Sequence, residues 1–403
     1  MILQKIKFIN NKYIIFLSLI VVVFLAIDLR FYKLSKTFTQ YDDAWIHSLH
    51  KSAIMDRDVN INLGPIKKKY SIPIEKIKEL EHSFFLFPLY ISFSSAYPPG
   101  QYLLLPLIFD KNDTFSEIIF KTRSTSAVSS VISILLLIYL FYRIEKKISW
   151  ASVFAISIFS FSTNSILFSH HGSVYSSSCM ATVCSIWILY LLNKKEISIF
   201  NANIFNTLLL YFSYLGILFF IPILFLGLKE KKISILIKEY FTNKFGYMIL
   251  NIVLILPFFL RFFIHEYPHQ YIRGPSSDNF IELANHFNLA LKSLISGFIP
   301  YNFDFYYLFF ILIFVILIIN FLIKSKNSEK RILFYCSLIY LSQWLILHSF
   351  NIIPLDQTRH SLIFFPIILT IYFIILSEVR IVNFFLFALI LILIPLSYID
   401  TKK

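Results

Sequence analysis

The residue types suited to chemistry fall in four short segments. Tyr41-Asp42-Asp43-Ala44-Trp45 sets two carboxylates side by side, shortly after the first long apolar run. Adjacent carboxylates beside a bilayer are costly unless solvated, paired or bound to metal. One of them can accept a proton as a general base, or both can hold a divalent cation. Either can also simply cap the helix that follows. His47 falls four residues after Asp43, on the same helical face, so Asp43 and His47 are the candidate metal ligands. An interfacial polar histidine is the other reading of His47.

The second segment is Ser95-Ala96-Tyr97-Pro98-Pro99-Gly100-Gln101-Tyr102. Consecutive prolines stop a helix from running through. Pro98 and Pro99 thus fix a rigid break at the membrane surface. Tyr97 beside them can line a groove for a lipid-linked substrate or act as an ordinary interfacial tyrosine. The third signal is a pair of arginines. Arg123 opens the second span, and Arg359-His360 opens the tenth, with Arg359 opposite Asp356 in a short turn. A guanidinium at an interface suits a phosphate or pyrophosphate group, and its alternative is a helix-end residue snorkelling to water. The fourth is Ser169-His170-His171-Gly172-Ser173, where two histidines can donate to phosphate or bind metal. Neighbouring histidines on one turn are poor chelators. There is no Walker loop, no GxGxxG before a strand, no HExxH and no GxSxG.

The elements that must position these residues follow from composition. The chain has 403 residues, 57% hydrophobic and 15% charged, with a mean hydropathy of +0.71. A soluble domain is about 45–50% apolar and about 25% charged. The expected fold is therefore all-α and polytopic in a membrane. The net charge of +14 comes mostly from Lys and Arg in short loops between apolar runs. That pattern reads as topology and headgroup contact, with no basic, aromatic-interleaved patch for nucleic acid. Cys179, Cys184 and Cys336 lie inside apolar runs and read as packing residues.

The first apolar run, Tyr13–Ile27, follows Lys5, Lys7 and Lys12 and no small-residue cleavage site comes after it. It is expected to stay as an uncleaved span with its N-terminus in the cytoplasm. A long outer loop follows, from Arg30 to about Thr122, carrying surface helices over Asp42–Met55 and Ile72–Phe84. Two short apolar helices around the double proline close that loop. Further spans are predicted at Ser124–Tyr142, Trp150–Phe168, Val174–Leu192, Asn203–Leu228, Phe245–Phe263, Phe305–Ile323, Ile332–Phe350, Ser361–Leu376 and Ile381–Leu396. The connections Arg143–Lys147, Asn193–Glu196, Lys229–Lys244 and Lys324–Arg331 are basic, which places them in the cytoplasm. They alternate only if Asn203–Leu228 crosses twice, giving about 11 transmembrane helices. A second outer loop, His265–Tyr301, then carries a further surface helix. The whole chain, 1–403, reads as one membrane-embedded domain.

In this order the pieces resemble a lipid-dependent integral-membrane glycosyltransferase of the GT-C fold, similar to the protein O-mannosyltransferase and aminoarabinose lipid A transferase family. The likeness is strongest from Tyr41 to about Leu192. Asp42-Asp43 stands where the family places an Asp-Glu pair in its first outer loop. Tyr97-Pro98-Pro99 stands where a His-Pro-Pro or Lys-Pro segment precedes the second span. Arg123 opens that span as an Arg does in the family, and Arg359-His360 with Pro366 matches a late Arg-Tyr pair. His170-His171-Gly172-Ser173 replaces a turn that carries an Asp in many members. With the sequence ending at Lys403, no appended outer domain is expected.

The resemblance implies a donor sugar on a polyprenyl phosphate and an acceptor that is a lipid, a glycan or a protein. Asp42 would take the acceptor's proton, with Asp43 beside it, and the anomeric carbon would invert. Tyr97, Pro98, Pro99, Arg123, His170, His171, Arg359 and His360 would bind substrate, Arg359 at the leaving phosphate. No organic cofactor is expected, and a divalent metal is one option. The expected location is a plasma membrane (the inner membrane in a bacterium), with the site on the outer face. Two other classes stay open: a transporter or flippase of lipid-linked sugars, and a catalytically silent membrane scaffold.

Overall fold

A computed structural model describes residues 12–34, 98, 100–104, 107–108, 110, 113–242, 244–264, 315–323, 325–349 and 358–378. Every regular element among them is helical. In chain order these are α1 (Lys12–Phe31), α2 (Gly100–Leu104), α3 (Phe115–Glu145), α4 (Trp150–Phe161), α5 (Thr163–Ser169), α6 (Tyr175–Asn193) and α7 (Ile199–Leu209). A 3-10 turn (Tyr214–Phe219) leads into α8 (Phe220–Glu230), α9 (Ile233–Phe241) and α10 (Phe245–Ile264). A helical stretch over 315–323, then α11 (Ser328–Ser349) and α12 (Thr358–Leu376), complete the set. Three helical stretches, Lys12–Phe31, Ser116–Glu145 and Tyr175–Asn193, are long and apolar enough to cross a membrane.

The hub of the bundle is α6. It packs against α3 and α12 most extensively, and also against α7, α8 and α11. Its apolar residues are buried nearly all round, among them Val183, Ile186, Leu189 and Tyr190. The rim is the reverse. One face of α1 buries Ile15, Leu19, Val22, Ala26 and Leu29, while Tyr13, Phe16, Leu17, Ile20 and Phe24 lie exposed. Apolar surface on that scale is stable only against lipid or another apolar partner.

The local boundaries have chemical causes. Thr114 caps α3 and forms a reciprocal box with Glu117, whose carboxylate accepts from the Thr114 amide at 2.7 Å. This starts α3 well before the expected Ser124, so Arg123 lies two turns inside a helix rather than opening it. The expected span Trp150–Phe168 is broken. Ser162 is extended (φ −61, ψ 127) and separates α4 from α5. Ser160, Ser162, Thr163 and Asn164 cluster there, and short polar side chains compete with the helical backbone bonds.

The segment Asn203–Leu228 reverses on itself. Going up, α7 runs antiparallel to α6, with Ser185 Oγ donating to Asn206 Oδ1 (3.1 Å) and Ser178 Oγ to the Phe212 carbonyl (2.7 Å). Coming back, Asn206 Nδ2 donates to the Gly216 carbonyl (3.0 Å), and a Cβ on Gly227 would run into Ile199. The turn is at Leu210–Ser213, and Pro222 falls in the first turn of α8, where proline is tolerated. The basic connection Lys229–Lys244, expected as a plain loop, contains α9.

One end of the bundle collects the charged connections. Arg143 pairs with Glu196 at 2.5 Å, and Lys194 pairs with Glu329. Lys330 is buried between Glu145 (3.4 Å) and Glu378 (3.0 Å) and donates to Ser377 Oγ (2.7 Å). This lysine-rich end joins α3, α6, α11 and the end of α12.

Candidate functional site

The opposite end holds the start of α3, the end of α5, the start of α6 and the start of α12. Three of the four segments singled out from sequence meet there. The double-proline segment arrives as buried Pro98, followed by α2. Gly100 lies so close to the α7–α8 hairpin that its amide donates to the Tyr211 carbonyl at 2.6 Å. A Cβ on Gly100 would sit 2.6 Å from the Phe212 ring, so only glycine permits this approach.

Gln101 then anchors the segment. Its side-chain amide donates to Thr125 Oγ1 (3.1 Å), Ser126 Oγ (3.0 Å) and the Gly172 carbonyl (3.3 Å). Ser177 Oγ donates to Gln101 Oε1 at 2.9 Å, and Ser126 Oγ donates to the Ser173 carbonyl at 3.1 Å. A glutamine that is 1% exposed thus ties α2 to α3, to the histidine turn and to α6. Buried amides persist only when satisfied in this way.

The histidine turn follows as a compact knot. His170 ends α5, and its Nε2 lies 2.7 Å from the Leu29 carbonyl. A carbonyl only accepts, so Nε2 carries the proton. Burial holds the His170 pKa below the usual histidine range; the bond to Leu29 opposes that shift, and the charges of Arg123 and Arg30 add to it. His171 is buried, with Nδ1 2.7 Å from Ser173 Oγ, and packs edge-on to Phe168. The two rings therefore face different partners. Among the described residues no three His, Cys, Asp or Glu side chains group as metal ligands.

Arg123 is buried, 1% exposed, and donates to the Leu34 carbonyl at 2.8 Å. The snorkelling alternative does not hold for it. Its guanidinium fastens the chain just past α1 to α3, beside His170.

Arg30 is the residue the sequence reading did not single out. The sequence puts it at the start of a polar loop; in the structure α1 continues through it, and the side chain is 0% exposed. Nε donates to Ser130 Oγ (2.7 Å). Nη1 donates to the carbonyls of Ala26 and Ser160 (3.0 Å each), and Nη2 to the Phe159 carbonyl (3.5 Å) and Ser165 Oγ (2.9 Å). Five N–H groups meet five neutral acceptors. Two of those acceptors, the carbonyls of Phe159 and Ser160, are ones the break at Ser162 frees from helical bonding. One signal in the sequence points here: Ser126, Ser130 and Ser133 form a polar stripe on α3 at helical spacing.

Arg359 and His360 lie in the first turn of α12, not in a connecting turn. That end of α12 is the one nearer the histidine turn, because its other end reaches Lys330 through Ser377. Asp42, Asp43, His47, Tyr97 and Pro99 lie outside the described residues. Cys179 and Cys336 are buried free thiols and Cys184 is partly buried, all three placed as packing residues.

What the described site offers is a buried cationic end. Arg30 and Arg123 supply the charge, and the neutral His170 ring stands beside them within a shell of hydroxyls and carbonyls. Such an end favours negative charge brought to it, and its rigidity costs little reorganisation when charge develops. No family model, no curated protein and no solved structure matches this chain.

Proposed function

We propose that the chain is a polytopic membrane glycosyltransferase of GT-C type, with about 11 transmembrane helices. It moves a sugar from a polyprenyl-phosphate donor to an acceptor at the outer face. The reversal inside Asn203–Leu228 supports the count, since it returns the chain to the end it left, as the lysine-rich connections on both flanks require.

The observation that carries the reading is the anchoring of Gln101. Its bonds to Ser126 and Gly172 draw the Pro98–Gly100 segment, the Arg123 helix and the histidine turn to one end of the bundle. These segments are far apart in sequence, and the resemblance assigns all three to substrate. The acceptor hydroxyl attacks the anomeric carbon and its proton passes to the Asp42 carboxylate. The bond from that carbon to the phosphate oxygen breaks with inversion. The phosphate leaves with the electron pair and an added negative charge. Arg359 steadies it, and the positive field of Arg123 and Arg30 favours it. Asp43 stands beside the base, and Tyr97 lines the groove for the lipid-linked donor.

The test is a mass profile of the host's glycolipids, wall polymers and glycoproteins. It compares a deletion strain carrying the wild-type gene, Asp42→Asn or Asp43→Asn at matched expression. The deletion is expected to leave one glycan short by one sugar. Asp42→Asn should leave it equally short, because a general base contributes about 10²–10⁴-fold to rate. Full restoration by both Asn variants overturns the mechanism and moves transport of lipid-linked sugars ahead.

A further inference from the structure

The connection between α8 and α10 has a design that the site does not use. Within it, Ile233, Ile237 and Phe241 recur every four residues along α9 and are 56%, 51% and 63% exposed. On the neighbouring side of the helix, Leu236 is buried and packs near Gly227 of α8. The helix is thus fastened to the bundle by one edge while its adjoining apolar edge is left uncovered.

That uncovered edge continues surfaces on either side of it. Ile221, Leu224, Phe225 and Leu228 are exposed on α8, and Phe245, Ile249, Ile252, Val253 and Leu256 are exposed on α10. A soluble protein partner would have to cover all three helices. The acyl region of a bilayer leaflet covers them without further contact.

The charges decide which leaflet chemistry fits. Lys229–Lys244 carries five lysines against two glutamates. Lys231 is held by Glu239 at 2.6 Å. Lys229, Lys232 and Lys238 form no ion pair with a described residue. Lys238 directly follows Ile237, so its ammonium sits at the border of the apolar edge, at headgroup depth.

We infer that α9 is an interfacial anchor that binds anionic phospholipid headgroups through Lys229, Lys232 and Lys238, with Ile233, Ile237 and Phe241 in the acyl boundary. This does not depend on the transferase reading. Each lysine near an anionic surface gains about fivefold in affinity, so three give on the order of a hundredfold.

The test uses the purified full chain in mixed micelles. Phosphatidylglycerol or phosphatidylcholine is titrated, and the unfolding temperature is followed. Phosphatidylglycerol should raise it at lower lipid than phosphatidylcholine, and added salt should shrink the difference. The triple variant Lys229→Gln, Lys232→Gln, Lys238→Gln should shift the phosphatidylglycerol midpoint by about a hundredfold and leave the phosphatidylcholine curve unchanged. The triple Lys→Arg variant should retain the wild-type midpoint, and it keeps the test decisive should the Gln variant fold poorly. Equal response to the two lipids, or an unchanged midpoint in the Gln variant, overturns the proposal. So does cross-linking between copies through Ser234→Cys, which would make the uncovered edge a contact between two chains.

Discussion

Arg30 shows how a single side chain can hold a helix break open. Removing its guanidinium leaves the carbonyls of Phe159 and Ser160 and the hydroxyls of Ser130 and Ser165 without their donor. An unsatisfied buried group costs about 1–3 kcal/mol, offset in part by no longer burying a charge. Arg30→Met is therefore expected to lower unfolding stability by about 2 kcal/mol or more. Arg30→Lys, with three donors instead of five, should lose less. Chemical denaturation in detergent reads both, and a neutral Arg30→Met would sink this account. His170 adds a pH dependence with a definite sign. Its folded pKa is depressed, so the unfolded chain takes up the proton first. The stability that neutral His170 contributes is complete above the unfolded pKa of about 6.5 and is lost as pH falls below it. The wild-type unfolding temperature should drop on acidification through that range, and His170→Gln should flatten the drop. Sequence spacing exposed His170 and Arg123 but not the network that uses them. Arginine at the end of an apolar helix ordinarily snorkels, and four of the five partners of Arg30 lie a hundred residues and more away.

At the level of elements, the lysine-rich end behaves as a clamp. Lys330 and Glu145 are each about nine-tenths buried, their side chains 7% and 6% exposed, and the pair joins the start of α11 to the end of α3. Glu378 and Ser377 bring in the end of α12. Breaking a buried pair by removing one partner costs about 3–5 kcal/mol, because a charge stays behind without compensation. Lys330→Met should cost about that much, and adding Glu145→Gln should recover part of it. A double-mutant cycle with no coupling between the two sites would show that the clamp is not a unit. Apolar runs gave away α6, α10 and the start of α1 almost to the residue, because a span's length and composition are written locally. The break at Ser162 was not legible. No proline or glycine marks it, and its freed carbonyls are satisfied by a residue on another helix. α9 was hidden for a different reason: in a one-dimensional reading its lysines outweigh its short apolar edge. Gly100 is the converse case, a local feature whose reason is tertiary. Gly100→Ala presses on the Phe212 ring, and overpacking of this kind costs about 1–3 kcal/mol. It should loosen α2 from the hairpin, read as faster proteolysis after Leu107.

For the whole molecule, the two ends differ in chemistry, and that difference predicts its orientation. One end gathers the turns Arg143–Lys147 and Asn193–Glu196 with the start of α11; the other gathers α2, the histidine turn and the start of α12. Chains insert so that short basic connections stay on the cytoplasmic side. The lysine-rich end should therefore face the cytoplasm. The hairpin of α7 and α8 then fixes everything after it. Its two arms return to the same end, where Gly227 meets Ile199, so α9 and the start of α10 share a side with Lys147. A full crossing by α10 carries Asn279 to the side of Leu107. Single cysteines at these positions test the chain as a whole. Leu107, Lys147 and Lys326 are exposed, and the native cysteines are mostly or fully buried, so the wild type gives the background. A membrane-impermeant maleimide applied to intact cells should label Leu107→Cys and Asn279→Cys. Lys147→Cys and Lys326→Cys should react only after the membrane is opened. Protection of Asn279→Cys alone would mean that α10 turns back without crossing. Reversal of all four would keep the fold, turn the cationic site toward the cytoplasm, and remove the outer-face donor from the proposed reaction.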